Sequence, residues 1–229
     1  VTAVAVFDLD GTLIDTPRGI VATFTAVFDS MGLVWPDPAA VRATIGIPLE
    51  RAFGQLLPDE PEDAQIDEAI RRYQRYFAEL VLPRAGQLLF PGVAAGLAAL
   101  RAQGVGLAVA TSKFHAGADA LLTAAGLRAE FDVVIGADQV THPKPHPQTG
   151  LAVLSALRAV PEEAVMVGDT THDLLMAKAC GMRSIAVTYG VHGARQLRVA
   201  GATWLADTFD DVLAHLAAAR RGRPAAPAW

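Results

Sequence analysis

Cysteine is almost missing from this 229-residue chain, where Cys180 is the only one. A single thiol excludes an intramolecular disulfide and fits a reducing compartment. Lying between Ala179 and Gly181 at an expected helix end, it reads as a small buried residue rather than a catalytic thiol. Positive charge is also short. Lys and Arg number 19 against 24 Asp and Glu, a formal net charge of −5, so no nucleic-acid surface is expected. The one concentrated basic run, Arg220-Arg221-Gly222-Arg223, stands ahead of Pro224 and Pro227 and reads as a frayed, solvated tail. No apolar run is long enough to span a bilayer, and no basic-then-apolar leader opens the chain. A cytoplasmic protein with no membrane partner is the expectation. Internal repeats are lacking too.

What is present is material for a well-buried core: 52 % hydrophobic and 19 % charged residues, enough for one sizeable domain or a core with a smaller companion. Val4-Ala5-Val6-Phe7 is a short apolar run ended by acidic and glycine residues, the pattern of a buried strand meeting a loop. Similar runs recur at 106–110, 132–135, 164–167 and 184–187, with helical patterns at 93–103, 117–125, 149–158 and 174–179 between them. Strands alternating with helices give an α/β fold with a doubly wound parallel sheet covered on both faces. Thr208 followed by Asp211 reads as a capping box that opens a last helix through Ala219. From about Thr16 to Leu88 the rhythm breaks. Helical patterns at 20–31, 49–57 and 66–82, punctuated by prolines, occur without a convincing strand. The domains expected are therefore a catalytic core of 1–15 and 89–229 and an inserted helical cap of 16–88.

Open parallel sheets bind ligands at the carboxyl ends of their strands, so the residues after each strand carry the functional reading. After the first come Asp8-Leu9-Asp10-Gly11-Thr12. Alone this could be a polar turn. Asp8 and Asp10 are two apart, however, and can face one pocket, where a pair of carboxylates needs a cation or a shared proton. Gly11 permits the sharp turn behind them. Thr111, Ser112 and Lys113 follow the second strand, where hydroxyls and free N–H groups could hold a phosphate or simply cap a helix. His142-Pro143-Lys144-Pro145-His146-Pro147 is a loop stiffened by three prolines, which makes Lys144 an unusual surface lysine and a fitting counter-charge for phosphate or carboxylates. The two histidines there could ligate a metal, although loop histidines more often bond to backbone or water. The fourth strand leads into Gly168-Asp169-Thr170-Thr171-His172-Asp173. Asp169 and Asp173 are four apart at a helix start and can both face the crevice, and an N-cap with a helix-dipole partner accounts comfortably for one of them and less well for the second.

Taken in order, these four segments resemble the motifs of the haloacid dehalogenase-like hydrolase superfamily: Asp-x-Asp-Gly-Thr, a Thr or Ser after the second strand, a Lys ahead of Pro, and Gly-Asp-x-x-x-Asp. The resemblance runs from about Val4 to Val212 and implies a Rossmann-like core with an α-helical cap. It further implies Mg²⁺-dependent phosphatase chemistry. Asp8 would be the nucleophile that becomes an aspartyl-phosphate, and Asp10 the general acid and base. Thr111, Ser112 and Gly11 would contact phosphate, and Lys144 would balance charge. Mg²⁺ would be held by Asp8, the carbonyl of Asp10 and Asp169, with Asp173 acting through water or by orienting these ligands. Asp10 separates the chain from the dehalogenase and phosphonatase branches. Gly46-Ile47-Pro48-Leu49-Glu50 resembles the inward-pointing cap loop of the phosphoglycolate phosphatase-like group, although a plain interhelical turn has the same residues. Arg18, Arg51 and Lys113 are candidates for the non-phosphate end of a substrate, with solvated helix surface as the plainer fate of each.

The expected partner is a small phosphorylated metabolite, first 2-phosphoglycolate, and the protein would be a monomer or homodimer. Sugar-phosphate phosphatase, pyrophosphatase or nucleotidase, and phosphomutase are the alternatives on the same core. A non-catalytic phospholigand-binding protein is a further one, which the four intact charged positions disfavour.

Overall fold

The computed structural model describes residues 3–58 and 60–221. Six strands form its sheet: β1 (Val4–Phe7), β2 (Gly106–Ala110), β3 (Val133–Ile135), β4 (Ala164–Gly168), β5 (Arg183–Val187) and β6 (Trp204–Ala206). Between β1 and the return to the sheet lie helices α1 (Pro17–Ser30), α2 (Pro38–Ala43), α3 (Leu49–Leu56) and α4 (Asp63–Leu80). The remainder are α5 (Val93–Ala102), α6 (His115–Ala124), α7 (Gln148–Leu157), α8 (Thr171–Cys180), α9 (Ala194–Val199) and α10 (Phe209–Arg220).

The strand order is β3-β2-β1-β4-β5-β6 and every pairing is parallel. All four residues of β1 are buried because both faces of the sheet are covered, which explains a continuous apolar run where a one-sided strand would alternate. Strand alternation divides the core in two. Ala5, Phe7, Val109 and Val167 face a layer containing Leu97, Leu121 and Val212 from α5, α6 and α10. Val4, Val6, Ala108 and Met166 face Val153, Met176 and Cys180 from α7 and α8. The order of connection reverses at β1, which lies between β2 and β4. That switch point opens a crevice beyond the carboxyl ends of β1 and β4.

The inserted segment is all helical. Pro17 opens α1 at a position that needs no N–H bond, and Ile20, Phe24, Val27 and Phe28 form its buried stripe. Phe24 packs on Phe53 of α3 and Tyr73 of α4, with ring centroids 4.7 and 5.1 Å apart. The outgoing and returning chains meet where Asp15 N–H donates to Leu88 O at 2.7 Å and Phe90 N–H donates to Leu13 O at 3.1 Å.

Several features differ from the sequence expectation. Helices α2 and α9, each of 6 residues, and strand β6, of 3, are too short to show a period. Arg220 does not belong to a frayed tail: its guanidinium donates to Gln103 Oε1 at 3.0 Å and to Gln103 O at 3.2 Å. The rest of the expected tail, from Gly222 onward, lies outside the described residues. The Thr208–Asp211 capping box is formed, with Asp211 N–H donating to Thr208 Oγ1 at 3.2 Å. Cys180 is buried against Pro147 O, and burial raises its thiol to about 11. No described helix is long and apolar enough to cross a membrane.

Candidate active site

Asp8 is the first residue past β1, and its N–H continues the ladder by donating to Val167 O of β4 at 2.9 Å. Its carboxylate therefore projects at the switch point. Asp169, past the end of β4, and Asp173, in the first turn of α8, converge on it. All three are buried, and one oxygen of each lies within 4.8 Å of the others. Among the described residues this is the only group of three such acids, histidines or cysteines. The exposed His142 and His146 stand outside it, their ring centroids 4.8 Å apart, and His146 Nδ1 accepts from Gln148 N–H at 3.2 Å.

Lys144 is 1 % exposed despite its loop position. Its ammonium donates to Asp8 Oδ1 at 2.9 Å and to Asp173 Oδ1 at 2.6 Å. Burial alone would lower the lysine pKa, but the carboxylates of Asp173 and Asp8 outweigh it and hold the ammonium charged. Burial pushes Asp8 up to about 7, with Lys144 opposing the shift and Asp173 adding to it. Asp169 is also held well above the carboxylate range, first by burial and then by Asp8 and Asp173.

Further groups lock the acids in place. Thr12 Oγ1 donates to Asp169 Oδ1 at 2.8 Å and Val191 N–H to Asp169 Oδ2 at 2.8 Å. Asp173 Oδ2 accepts from Thr170 N–H at 3.0 Å and Thr170 Oγ1 at 2.7 Å, so the capping box of α8 and the acid cluster share one side chain. Gly11 has φ +84°, and a Cβ there would stand 2.3 Å from Asp169 Oδ2, so glycine is required on both counts. Sequence reasoning misses Thr12 and the Tyr189–Val191 loop. Thr12 lies inside the first motif without a role of its own, and the loop's only signal is its place after the β5 strand end.

Asp10 points toward the inserted helices. Thr16 Oγ1 donates to its Oδ1 at 2.6 Å, and Lys113 Nζ lies 3.1 Å from its Oδ2. Thr111 Oγ1 accepts from Lys113 N–H at 3.2 Å, which leaves the Thr111 hydroxyl proton free to donate. Ser112 Oγ donates to Gly46 O at 2.7 Å, tying the α2–α3 turn to the core. Gly46 has φ +100°, and a Cβ there would come within 3.0 Å of Thr170 Cγ2, so this turn approaches the site because it is glycine. Asp8, Asp10, Gly46, Thr111, Ser112 and Lys113 thus line one cavity, of about 50 Å³.

Arg18 does not join them. It is exposed on α1, on the face opposite Ile20 and Phe24, and is not among the residues that line the cavity. Arg51 is likewise exposed. Lys113 reverses its expectation: its side chain is only 9 % exposed, with Nζ 4.1 Å from the centre of the Phe77 ring.

The family described as haloacid dehalogenase-like hydrolase matches residues 5–187. A Dickeya dadantii protein named "Probable phosphatase IndB" is 54 % identical over 208 residues, which is 91 % of this chain and 90 % of that protein. A Salmonella typhimurium phosphoglycolate phosphatase is 33 % identical over 227 residues, covering 90 % of this chain and 89 % of its own. The crystal structure of a haloacid dehalogenase-like family hydrolase from Streptococcus pneumoniae superposes with a TM-score of 0.78 at 29 % identity, covering 94 % of this chain and 99 % of that one. With the acid cluster at the switch point and the helical cap above it, this chain belongs to the haloacid dehalogenase-like hydrolase family, in its phosphoglycolate phosphatase-like group, and is a phosphatase.

Proposed function

We propose that the chain hydrolyses a small phosphate monoester through an aspartyl-phosphate on Asp8, with Mg²⁺ as cofactor and 2-phosphoglycolate as substrate. The observation that carries the Mg²⁺ reading is the charge of the buried cluster. Three carboxylates cluster where one ammonium contacts only two of them, Asp8 and Asp173, so a divalent cation would compensate what Lys144 leaves over, and all-oxygen ligands suit this hard ion. Asp8, the carbonyl of Asp10 and Asp169 would hold it, while Asp173 orients Lys144. When bound, Mg²⁺ supplies charge stabilisation at the phosphoryl oxygens.

The chain's own groups do the rest. An Asp8 carboxylate oxygen attacks phosphorus as the bond to the leaving oxygen breaks, and Asp10 gives that oxygen its proton. Asp10 then takes a proton from water as the water attacks the acyl-phosphate, which restores the Asp8 carboxylate and releases phosphate. Thr111 donates its free hydroxyl proton to a phosphoryl oxygen, and Lys144 offsets negative charge between Asp8 and the transferred group. Ser112 holds the Gly46 turn and, through it, keeps the cap near the core. That contact supports a closed state that excludes water.

The substrate reading draws support from the cavity wall. On the cap side it is built mainly from the apolar Ile20, Phe24, Ile45, Ile47, Leu49 and Ala52, with Thr44 and Tyr73. A sugar leaving group would bury several hydroxyls against this surface without partners, and each such loss costs about 1–3 kcal/mol. A short acid avoids that cost. The test is kcat/KM with Mg²⁺ and with chelator for 2-phosphoglycolate, a hexose phosphate, a nucleoside monophosphate and pyrophosphate. Metal-dependent hydrolysis with 2-phosphoglycolate preferred at least about tenfold, roughly 1.4 kcal/mol in transition-state binding, is expected. A smaller preference removes the substrate assignment.

Mg²⁺ should also stabilise the folded protein by mass action, since it binds an acid cluster that unfolding disperses. The melting temperature is expected to rise at millimolar Mg²⁺ and return with chelator, and Asp169→Ala should blunt the rise. An unchanged melting curve in the wild-type protein would count against this metal site.

A further inference from the structure

We propose that Lys113, with Tyr73 lining the same cavity, is the specificity group of this cavity and holds a single anionic group, of the carboxylate class, on the leaving-group side of the substrate. The inference rests on the phosphatase reading and deepens it. Lys113 follows the strand that supplies Thr111 and Ser112, yet it serves the cap side of the cavity. Its side chain is 9 % exposed, its Nζ lies 3.1 Å from Asp10 Oδ2, and the Phe77 ring of α4 covers it at 4.1 Å. Lys113 is the one cation among the residues that line this cavity, while Lys144 is enclosed between Asp8 and Asp173.

Tyr73 lines the same cavity from α4 and is 4 % exposed. Its ring is fixed against Phe24, Phe53 and Phe77. Burial above all, and then Asp10, keeps its hydroxyl protonated and so able to donate. An ammonium and a neutral hydroxyl among the apolar side chains Ile20, Phe24, Ile45, Ile47 and Leu49 match one anion. An anionic substituent would share Lys113 with Asp10 and satisfy Tyr73. A neutral apolar leaving group would satisfy neither. Discrimination then comes from binding beyond the phosphoryl group, which all monoesters share.

The test uses two substrates of matched size, 2-phosphoglycolate and ethyl phosphate, in the Mg²⁺-loaded protein. Wild type, Lys113→Met, Lys113→Arg and Tyr73→Phe are compared, with melting curves to confirm folding. Lys113→Met keeps an unbranched side chain next to Phe77 and removes the ammonium that lies over its ring. The wild type is expected to favour the carboxylate substrate at least about tenfold. Lys113→Met should erase that ratio mainly by raising KM for 2-phosphoglycolate, Lys113→Arg should restore part of it, and Tyr73→Phe should reduce it several-fold. Equal losses on both substrates in Lys113→Met would mean that Lys113 acts through its contact with Asp10, and the specificity role would be overturned. A wild type that hydrolyses both substrates equally also overturns it, with the phosphatase reading intact. If neither substrate is hydrolysed with Mg²⁺, the phosphatase reading itself fails and this inference falls with it.

Discussion

Asp8→Asn is expected to abolish turnover and leave the fold in place. The carboxamide has the same shape but is a poor nucleophile, so the covalent step loses its attacking atom. Loss of that step should cost well over a hundredfold, or more than about 2.7 kcal/mol of barrier. The fold should survive because burial already disfavours the charged form of Asp8, raising it to about 7. Lys144 also keeps its 2.6 Å contact with Asp173. Single-turnover and steady-state rates on an aryl phosphate, with a melting curve within a few degrees of wild type, check both halves. A folded variant retaining more than about a hundredth of wild-type activity would rule out Asp8 as nucleophile.

Lys144→Met is expected to have the largest effect on stability. The ammonium is the shared partner of Asp8 and Asp173, and it is fully enclosed. Removing one member of a buried ion cluster leaves the others uncompensated, a loss of about 3–5 kcal/mol. In a chain of 229 residues that corresponds to a melting temperature lowered by roughly 10 °C. Activity should fall as well, because negative charge on the phosphoryl group loses its fixed counter-charge. Thermal unfolding in chelator isolates the structural part, and added Mg²⁺ should recover some of it by replacing positive charge at the same acids. A variant that melts within about 2 °C of wild type in chelator would show that the carboxylates do not depend on Lys144.

Long, periodic elements are legible in the amino-acid sequence alone. Helix α1 is expected at 20–31 and spans Pro17–Ser30, and α4 is expected at 66–82 and spans Asp63–Leu80. Five of the strands are legible as well, because a sheet buried on both faces needs uninterrupted apolar runs. β6 is not: Trp204–Ala206 is an edge strand of 3 residues like β3, but it lacks the β-branched run Val133-Val134-Ile135 that marks β3 as a strand. The acids stand out because each follows a strand end, and the sheet itself brings strand ends together.

By itself, then, the sequence determined the parallel α/β core, the inserted helices and the acids carried to the switch point, all of which follow from local period and from the order of motifs. Tertiary structure decided which cations reach the cavity. Period separates the faces of a helix but does not say what stands opposite them. Arg18 therefore looks as suitable as Lys113 in the sequence, and only packing turns Arg18 to solvent and covers Lys113 with Phe77. The α2–α3 turn is likewise ambiguous in the sequence, and the bond from Ser112 Oγ to Gly46 O, across 66 residues of chain, resolves it. Lys144 and Asp173 are 29 residues apart, and their contact exists only because the loop after β3 and the first turn of α8 meet beneath Asp8. Such pairings depend on how separate elements dock, and the free energy of docking is spread over the whole core rather than written in the residues that touch.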